Sequence, residues 1–260
     1  MLSKAPRGTK DITPKDVYKW HYVEKKFREI CALYGYEEIR TPIFEHTEVF
    51  ARSVGDTTDV VQKEMYSFTD RGDRQLSLKP EGTAGVIRSF IENKMYADTQ
   101  PTKLYYITPC FRYERPQAGR QRQFHQFGIE VLGSDGPSVD AEVISLAVQF
   151  FNEMGLKNLS VNINSVGCPT CREEYNRKLK EYLDKKVDVL CETCLERKDK
   201  NPMRVIDCKN PHCKENLQDI PFMIDHLCDD CENHFDKLQE YLREMDIKFV
   251  VDKTIVRGLD

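Results

Sequence analysis

The chain has 260 residues, 40% hydrophobic and 32% charged, with a formal net charge of −4. That length fits one large domain or a domain with a smaller companion, and the balance is that of a globular protein. No apolar run reaches about 18 residues, which excludes a membrane-spanning helix, and an acidic balance argues against a dedicated DNA-binding domain while leaving room for a local basic patch.

In chain order, Thr13-Pro14-Lys15-Asp16 reads as a helix start, with Thr13 capping, Pro14 in the first turn and Asp16 facing the positive end. Val17, Trp20, Val23, Phe27, Ile30, Cys31 and Tyr34 then recur at spacings of three and four, one apolar helical face closed by Gly35. Residues 39–44 read as an extended segment stopped by Pro42. Residues 65–68 and 75–79 form an expected hairpin around Asp70-Arg71-Gly72-Asp73, and 83–91 a short helix. Two strands follow, 104–113 and 123–132, joined by a basic loop. Residues 138–154 are a strongly periodic helix, 159–166 a strand, 232–245 a helix and 248–252 a last strand. Long helices mixed with antiparallel hairpins predict an α+β fold.

The chemistry concentrates in Phe111-Arg112-Tyr113-Glu114-Arg115-Pro116-Gln117-Ala118-Gly119-Arg120-Gln121-Arg122-Gln123-Phe124. On a strand, Arg112 and Glu114 share a face. A guanidinium suits phosphate oxygens through paired hydrogen bonds, and a neighbouring carboxylate accepts from an amino group such as that of adenine. Arg115, Arg120 and Arg122 surround Gly119 in a loop able to close over a polyphosphate, and Phe124 is placed to stack on a base. Taken alone, the same stretch also reads as a salt-bridged surface hairpin.

The segment resembles motif 2 of class II aminoacyl-tRNA synthetases, Phe-Arg-x-Glu with a loop and a second strand bearing an aromatic, and most of all that of the histidyl-tRNA synthetase family. Residues 7–14 resemble that family's N-terminal signature. The long helix with Gly35-Tyr36-Glu37-Glu38-Ile39-Arg40-Thr41-Pro42 resembles the dimer-forming motif 1, and Lys79-Pro80-Glu81-Gly82-Thr83-Ala84-Gly85 the amino-acid-binding loop. Val256-Arg257-Gly258-Leu259-Asp260 resembles the opening of a histidine-specific signature. The resemblance implies a class II antiparallel sheet flanked by helices. It implies formation of histidyl-adenylate from L-histidine and ATP with Mg2+, then transfer to tRNA(His), by a cytoplasmic homodimer. It assigns Arg112 to the α-phosphate and the histidine carboxylate, Arg257 to catalysis at the α-phosphate and to histidine, and Glu114, Arg120 and Phe124 to ATP. Glu81, Gly82, Thr83 and Gln126 would hold the amino end of histidine, and Glu130 the imidazole N–H. Read alone, Glu81-Gly82-Thr83 is a helix cap and Glu130 a strand residue. The family pattern continues beyond Asp260, so the sheet is expected to be incomplete at that end and the chain to be truncated and inactive by itself.

Eight of the ten cysteines fall between Cys168 and Cys231. Cys168/Cys171, Cys191/Cys194 and Cys228/Cys231 are CxxC pairs, and Cys208/Cys213 is a looser fourth. In a reducing cytosol such pairs favour metal over disulfide, and four thiolates are a structural zinc set, so about two Zn2+ are expected. One arrangement joins 168/171 to 191/194 and 208/213 to 228/231; the spacing does not fix the pairing, and His212 is an alternative ligand. The expected organisation is a catalytic core over 1–166, a small helical cysteine-rich insertion over 167–231 that by resemblance contacts the tRNA acceptor arm, and a return to the core over 232–260. The competing readings are a regulatory paralogue, the regulatory subunit of ATP phosphoribosyltransferase, and a free-standing zinc/RNA-binding module. The intact Phe-Arg-x-Glu and the large insertion favour the ligase over the paralogue, and the extent of catalytic-domain sequence ahead of the insertion disfavours the free-standing module.

Overall fold

The computed structural model describes residues 4–54 and 60–256, which form two compact units. The first takes the described residues up to Asp135 together with Leu146–Lys157; the second takes Gly136–Ser145 together with the described residues from Asn158 onward.

In the first unit, α1 (Val17–Leu33) buries Phe27, Ile30 and Cys31, three residues of the periodic face, and the chain turns off at Gly35 with φ +75°. The helix begins later than Thr13. Residues 13–16 form a turn in which the Asp16 and Val17 amides donate to the Thr13 carbonyl, at 2.9 and 3.0 Å. Asp16 takes the N-cap position without a side-chain cap bond, and its carboxylate pairs with Lys19. The expected extended segment 39–44 is split by Pro42, which has no amide to give a ladder. β1 (Glu37–Glu38) lies before it and β2 (Phe44–His46) after it, leading into α2 (Thr47–Val54). The hairpin of β3 (Ser67–Thr69) and β4 (Gln75–Leu78) has Phe68 opposite Leu76. Its turn is held by Asp70, whose carboxylate accepts from the Arg74 side chain and from the Gly72 and Arg74 amides, bringing its pKa down to about 2.

After α3 (Thr83–Glu92) come β5 (Thr102–Phe111) and β6 (Gln123–Leu132), paired without a break from Thr102↔Leu132 to Phe111↔Gln123. The sheets run β1-β5-β6 and β2-β4-β3. The antiparallel pairs dominate, with β1 parallel to β5 as an exception. Side chains alternate along β5 and β6. The odd-numbered set, Tyr105, Ile107, Ile129 and Val131, packs on Phe27, Ile30 and Tyr36 and on Leu146 and Phe150 of α4 (Pro137–Glu153). This places the first core on one side of the hairpin and leaves the even-numbered set for the other.

In the second unit, β7 (Val161–Ile163) is shorter than the expected 159–166 and pairs in parallel with β8 (Phe249–Val251). Between them run α5 (Pro169–Asp184), α6 (Glu192–Lys200), α7 (Pro211–Asn216) and α8 (Asp229–Glu244). One core gathers Tyr175, Leu179 and Leu183 of α5 with Met203, Val205, Leu217, Ile220 and Met223 and the cysteines. A second packs Phe235, Leu238 and Leu242 of α8 on Ala141 and Ile163. Among the described residues no helix is long and apolar enough to cross a membrane.

Candidate functional site

The register of β5 and β6 sets the site. Tyr106 lies opposite Gly128, Thr108 opposite Gln126, Leu104 opposite Glu130 and Cys110 opposite Phe124. All have even numbers, so Phe124, Gln126 and Glu130 share a face with Tyr106 and Cys110, away from the first core. The segment 79–83 runs against this face. The Gly82 amide donates to Gln126 Oε1 at 3.1 Å, and the Cys110 thiol donates to the same oxygen at 3.3 Å. Glu81 caps α3 by accepting from the Thr83 and Ala84 amides at 2.5 and 3.0 Å. The Thr83 side chain neighbours both Tyr106 and Glu130, and Tyr106 lies beside Glu130. A buried tyrosine ring thus stands between two glycines, because a Cβ at Gly82 would lie 2.2 Å from Tyr106 Cε2 and one at Gly128 2.4 Å from its Cζ. Burial raises the Glu130 carboxyl above the usual glutamate range and pushes the Tyr106 phenol and the Cys110 thiol up, the latter to about 12. Beneath them Lys79, 2% exposed, donates to the Thr41 carbonyl at 3.2 Å, and burial draws its pKa down.

At the far end of the hairpin, Arg112 and Glu114 lie just beyond β5, not on it. The Arg112 amide donates to the Arg122 carbonyl at 2.9 Å and adds one more rung; the Glu114 amide then turns back to the Arg112 carbonyl at 2.8 Å. The Tyr113 amide instead donates to the Glu64 carbonyl at 2.6 Å, which takes the chain out of the ladder here. Arg112 Nε donates to the Pro80 carbonyl at 2.8 Å and its guanidinium sits 5.2 Å from the centre of the Phe124 ring. This ties motif 2 to the 79–83 segment. Glu114 pairs with Arg120 at 3.2 Å, and Arg122 covers the Tyr113 ring at 4.0 Å while donating to the Glu114 carbonyl. Arg115 and Arg120 are exposed. An apolar cleft of about 300 Å3 lined by Trp20, Val23, Ile107, His125 and Phe127 opens on the odd-numbered face, opposite the polar groups.

The cysteines gather into two groups of four, Cys168, Cys171, Cys228 and Cys231 in one, and Cys191, Cys194, Cys208 and Cys213 in the other. The pairing is nested, which corrects the sequential arrangement drawn from spacing, and His212 belongs to neither group. In each group all sulfurs lie within 4.8 Å of one another. Cross-knuckle amide bonds orient them, from Cys228 N to Cys171 Sγ at 3.1 Å and from Cys191 N to Cys213 Sγ at 3.2 Å. The Cys171 amide, at the start of α5, brings the Cys168 thiol down to about 6, while burial pushes Cys231 up to about 12. Either set of four thiols can hold a metal ion.

The family profile described as Histidyl-tRNA synthetase matches residues 8–207. The chain belongs to the histidyl-tRNA synthetase family. The histidine–tRNA ligase of Clostridioides difficile (strain 630) is 80% identical over 260 residues, covering 100% of this chain and 62% of that protein. That of Clostridium perfringens (strain SM101 / Type A) is 58% identical over 261 residues, covering 100% of this chain and 63% of the relative. The crystal structure of apo S. aureus histidyl-tRNA synthetase superposes with a TM-score of 0.79 at 40% identity, covering 99% of this chain and 59% of that one. The chain therefore spans somewhat under two thirds of the length of these relatives.

Of the residues that the histidyl-tRNA synthetase resemblance singles out, Gly82 is hydrogen-bonded to Gln126 and Thr83 to Glu81, and Glu130 lies beside Thr83 and Tyr106 on the same face. Arg112 and Phe124 adjoin them through Pro80 and Cys110. Glu114 and Arg120 face each other in the loop, and Arg257 lies outside the described residues. Sequence reasoning missed Tyr106, Lys79 and Cys110 as members of the cluster. Their shared parity with Gln126 and Glu130 was readable only once the hairpin register was known.

Proposed function

We propose that this chain carries the histidine- and ATP-handling part of a histidine–tRNA ligase, which joins L-histidine to ATP as histidyl-adenylate and passes the histidyl group to tRNA(His). The observation that carries this reading is the convergence of Glu81, Thr83, Gln126 and Glu130 on one face of the β5–β6 hairpin, with Arg112 and Phe124 next along the same face. Glu81, beside Gln126, offers an acceptor to an ammonium group, and Glu130, beside Thr83 and Tyr106, offers one to an imidazole N–H. A partly buried carboxylate left unpaired by an isostere lacking that donor rejects it. Arg112, pinned through Nε to Pro80, keeps its terminal nitrogens for the amino-acid carboxylate and the α-phosphate. It brings the attacking oxygen in line and neutralises charge as pyrophosphate leaves. Phe124 supplies a surface for the adenine and Glu114 an acceptor for its amino group, with Arg120 and Arg257 on the phosphates. ATP enters with its Mg2+, which when bound offsets charge on the departing phosphates.

The same reading takes the whole protein as a cytoplasmic homodimer assembled through α1 and β1, and residues 167–231 as an insertion that meets the acceptor arm of the tRNA. It takes zinc as the metal of the cysteine groups. Four sulfurs about 2.3 Å from one ion stand about 3.8 Å apart, and Cys168–Cys171 and Cys191–Cys208 are separated by 3.5 and 3.8 Å.

Histidine-dependent ATP–pyrophosphate exchange by the protein at the full length of its relatives tests the proposal. Glu130→Gln removes a charged acceptor and is expected to lower exchange about 10- to 100-fold, mostly through the histidine KM. Exchange without histidine, or an unchanged histidine KM in Glu130→Gln, overturns it.

A further inference from the structure

Helices α6 and α7 bury almost nothing but sulfur. Within α6 the only buried residue is Cys194, and Leu195 is exposed; within α7 it is Cys213. Both helices are short and highly polar, below the length at which a helix is stable without packing. Helices α5 and α8 differ. Besides Cys171, α5 buries Tyr175, Leu179 and Leu183, and α8 buries Phe235, Leu238 and Leu242. Each is held by apolar packing several turns long, in separate cores.

The two cysteine groups fall on opposite sides of this distinction. Cys191, Cys194, Cys208 and Cys213 all sit on or beside α6 and α7, and three of the four are buried. Cys168, Cys171, Cys228 and Cys231 sit at the N-terminal ends of α5 and α8, where Cys228 is exposed and only Cys171 is buried. The inner group spans short separations, such as the 17 residues from Cys191 to Cys208, and lies wholly within the stretch that the outer group closes, 57 residues from Cys171 to Cys228. The outer group also stands where the chain leaves β7 and where it turns into α8 toward β8, so it bridges the α5 core to the α8 core.

From the nesting and from what each helix buries, we infer that the two groups hold two zinc ions with divided roles: the inner ion folds α6 and α7, and the outer ion fastens the two ends of the excursion to each other without being needed to fold it. The inference rests on the zinc reading above. It follows from where the apolar burial lies. Without the inner ion, α6 and α7 are left with the apolar residues that flank them, such as Met203, Val205 and Leu217, and bury no apolar face of their own, so binding free energy there is in large part folding free energy. Without the outer ion, α5 and α8 keep their own cores and lose only the tie between their first turns.

Two paired substitutions in the 260-residue chain separate the roles, with zinc counted by native mass spectrometry and amide exchange read segment by segment. Wild-type protein is expected to carry two zinc ions. Cys228→Ser with Cys231→Ser should retain one, keep the α6 and α7 amides protected to within a few-fold, and expose only the first turns of α5 and α8. Cys208→Ser with Cys213→Ser should also retain one, yet exchange through α6 and α7 at least about 100-fold faster, with the middle of α8 still protected as evidence that the unit remains folded. If the outer pair melts α6 and α7 as fully as the inner pair does, or the inner pair leaves them protected, the division of roles is wrong while the zinc reading stands. Wild-type protein free of zinc overturns the zinc reading itself.

Discussion

Replacing Gly82 by alanine sets two effects of opposite sign against each other. Gly82 has φ −96° and ψ −30°, a conformation open to alanine, directly before α3. On backbone grounds alone the change should stabilise by about 0.4–1 kcal/mol, because the unfolded chain loses freedom. The added methyl, however, would lie 2.2, 2.5 and 2.9 Å from three atoms of the Tyr106 ring. That ring is only 7% exposed and packs with Val86 and Leu104, and Gly128 on its other side leaves no room either, since a Cβ there would lie 2.4 Å away. Overpacking of this kind costs about 1–3 kcal/mol. The net expectation is a loss of about 1–2 kcal/mol, or a roughly 5- to 30-fold fall in the folded-to-unfolded ratio. Trp20 is the sole tryptophan, on α1 of the same unit and 4.6 Å from the His125 ring of β6, so its fluorescence during urea unfolding reports on this unit. The midpoint should fall at unchanged slope. Histidine binding should weaken too, because a displaced Tyr106 disturbs the neighbouring Glu130. A midpoint that stays or rises would refute the reasoning and show that the ring yields.

Glu130 gives a pH signature. Its folded pKa is raised above the ordinary 4.5 by burial, so the folded state holds its proton more tightly than the unfolded one. Wild-type stability then falls as pH rises from about 4.5 through the raised value, and is lowest, as far as this group is concerned, above it. Glu130→Gln has no such loss and should exceed wild type in urea resistance at pH 7, the gap closing below about pH 4.5; a gap that widens on acidification contradicts the assignment. Arg112→Lys keeps the charge but cannot both bond the Pro80 carbonyl through Nε and lie flat over Phe124. Pyrophosphate exchange by the full-length protein should drop by about 100-fold or more, a cost comparable to removing one transition-state donor, and a lysine variant of near-normal kcat would exclude the positioning role.

The sequence determined on its own whatever depends on neighbours a few residues apart. The apolar spacing of Phe27, Ile30 and Cys31 marks α1, the strand-like runs 104–113 and 123–132 mark the hairpin, and Phe111-Arg112-Tyr113-Glu114 with Lys79-Pro80-Glu81-Gly82-Thr83 marks the family. The CxxC knuckles are likewise local, since each turns two thiols one way within a single helical turn. Errors fell at boundaries: the turn ahead of α1, the split at Pro42, and Arg112 and Glu114 beyond the end of β5, where the Tyr113 and Glu114 amides bond the Glu64 and Arg112 carbonyls instead of β6. Only the tertiary structure decided which knuckles meet, because closing 57 residues against 17 depends on the path of the chain between them and leaves no periodic trace. It alone placed Tyr106 between Gly82 and Gly128 as well, for that contact needs the register of two strands and the return of a third segment, which no local pattern encodes.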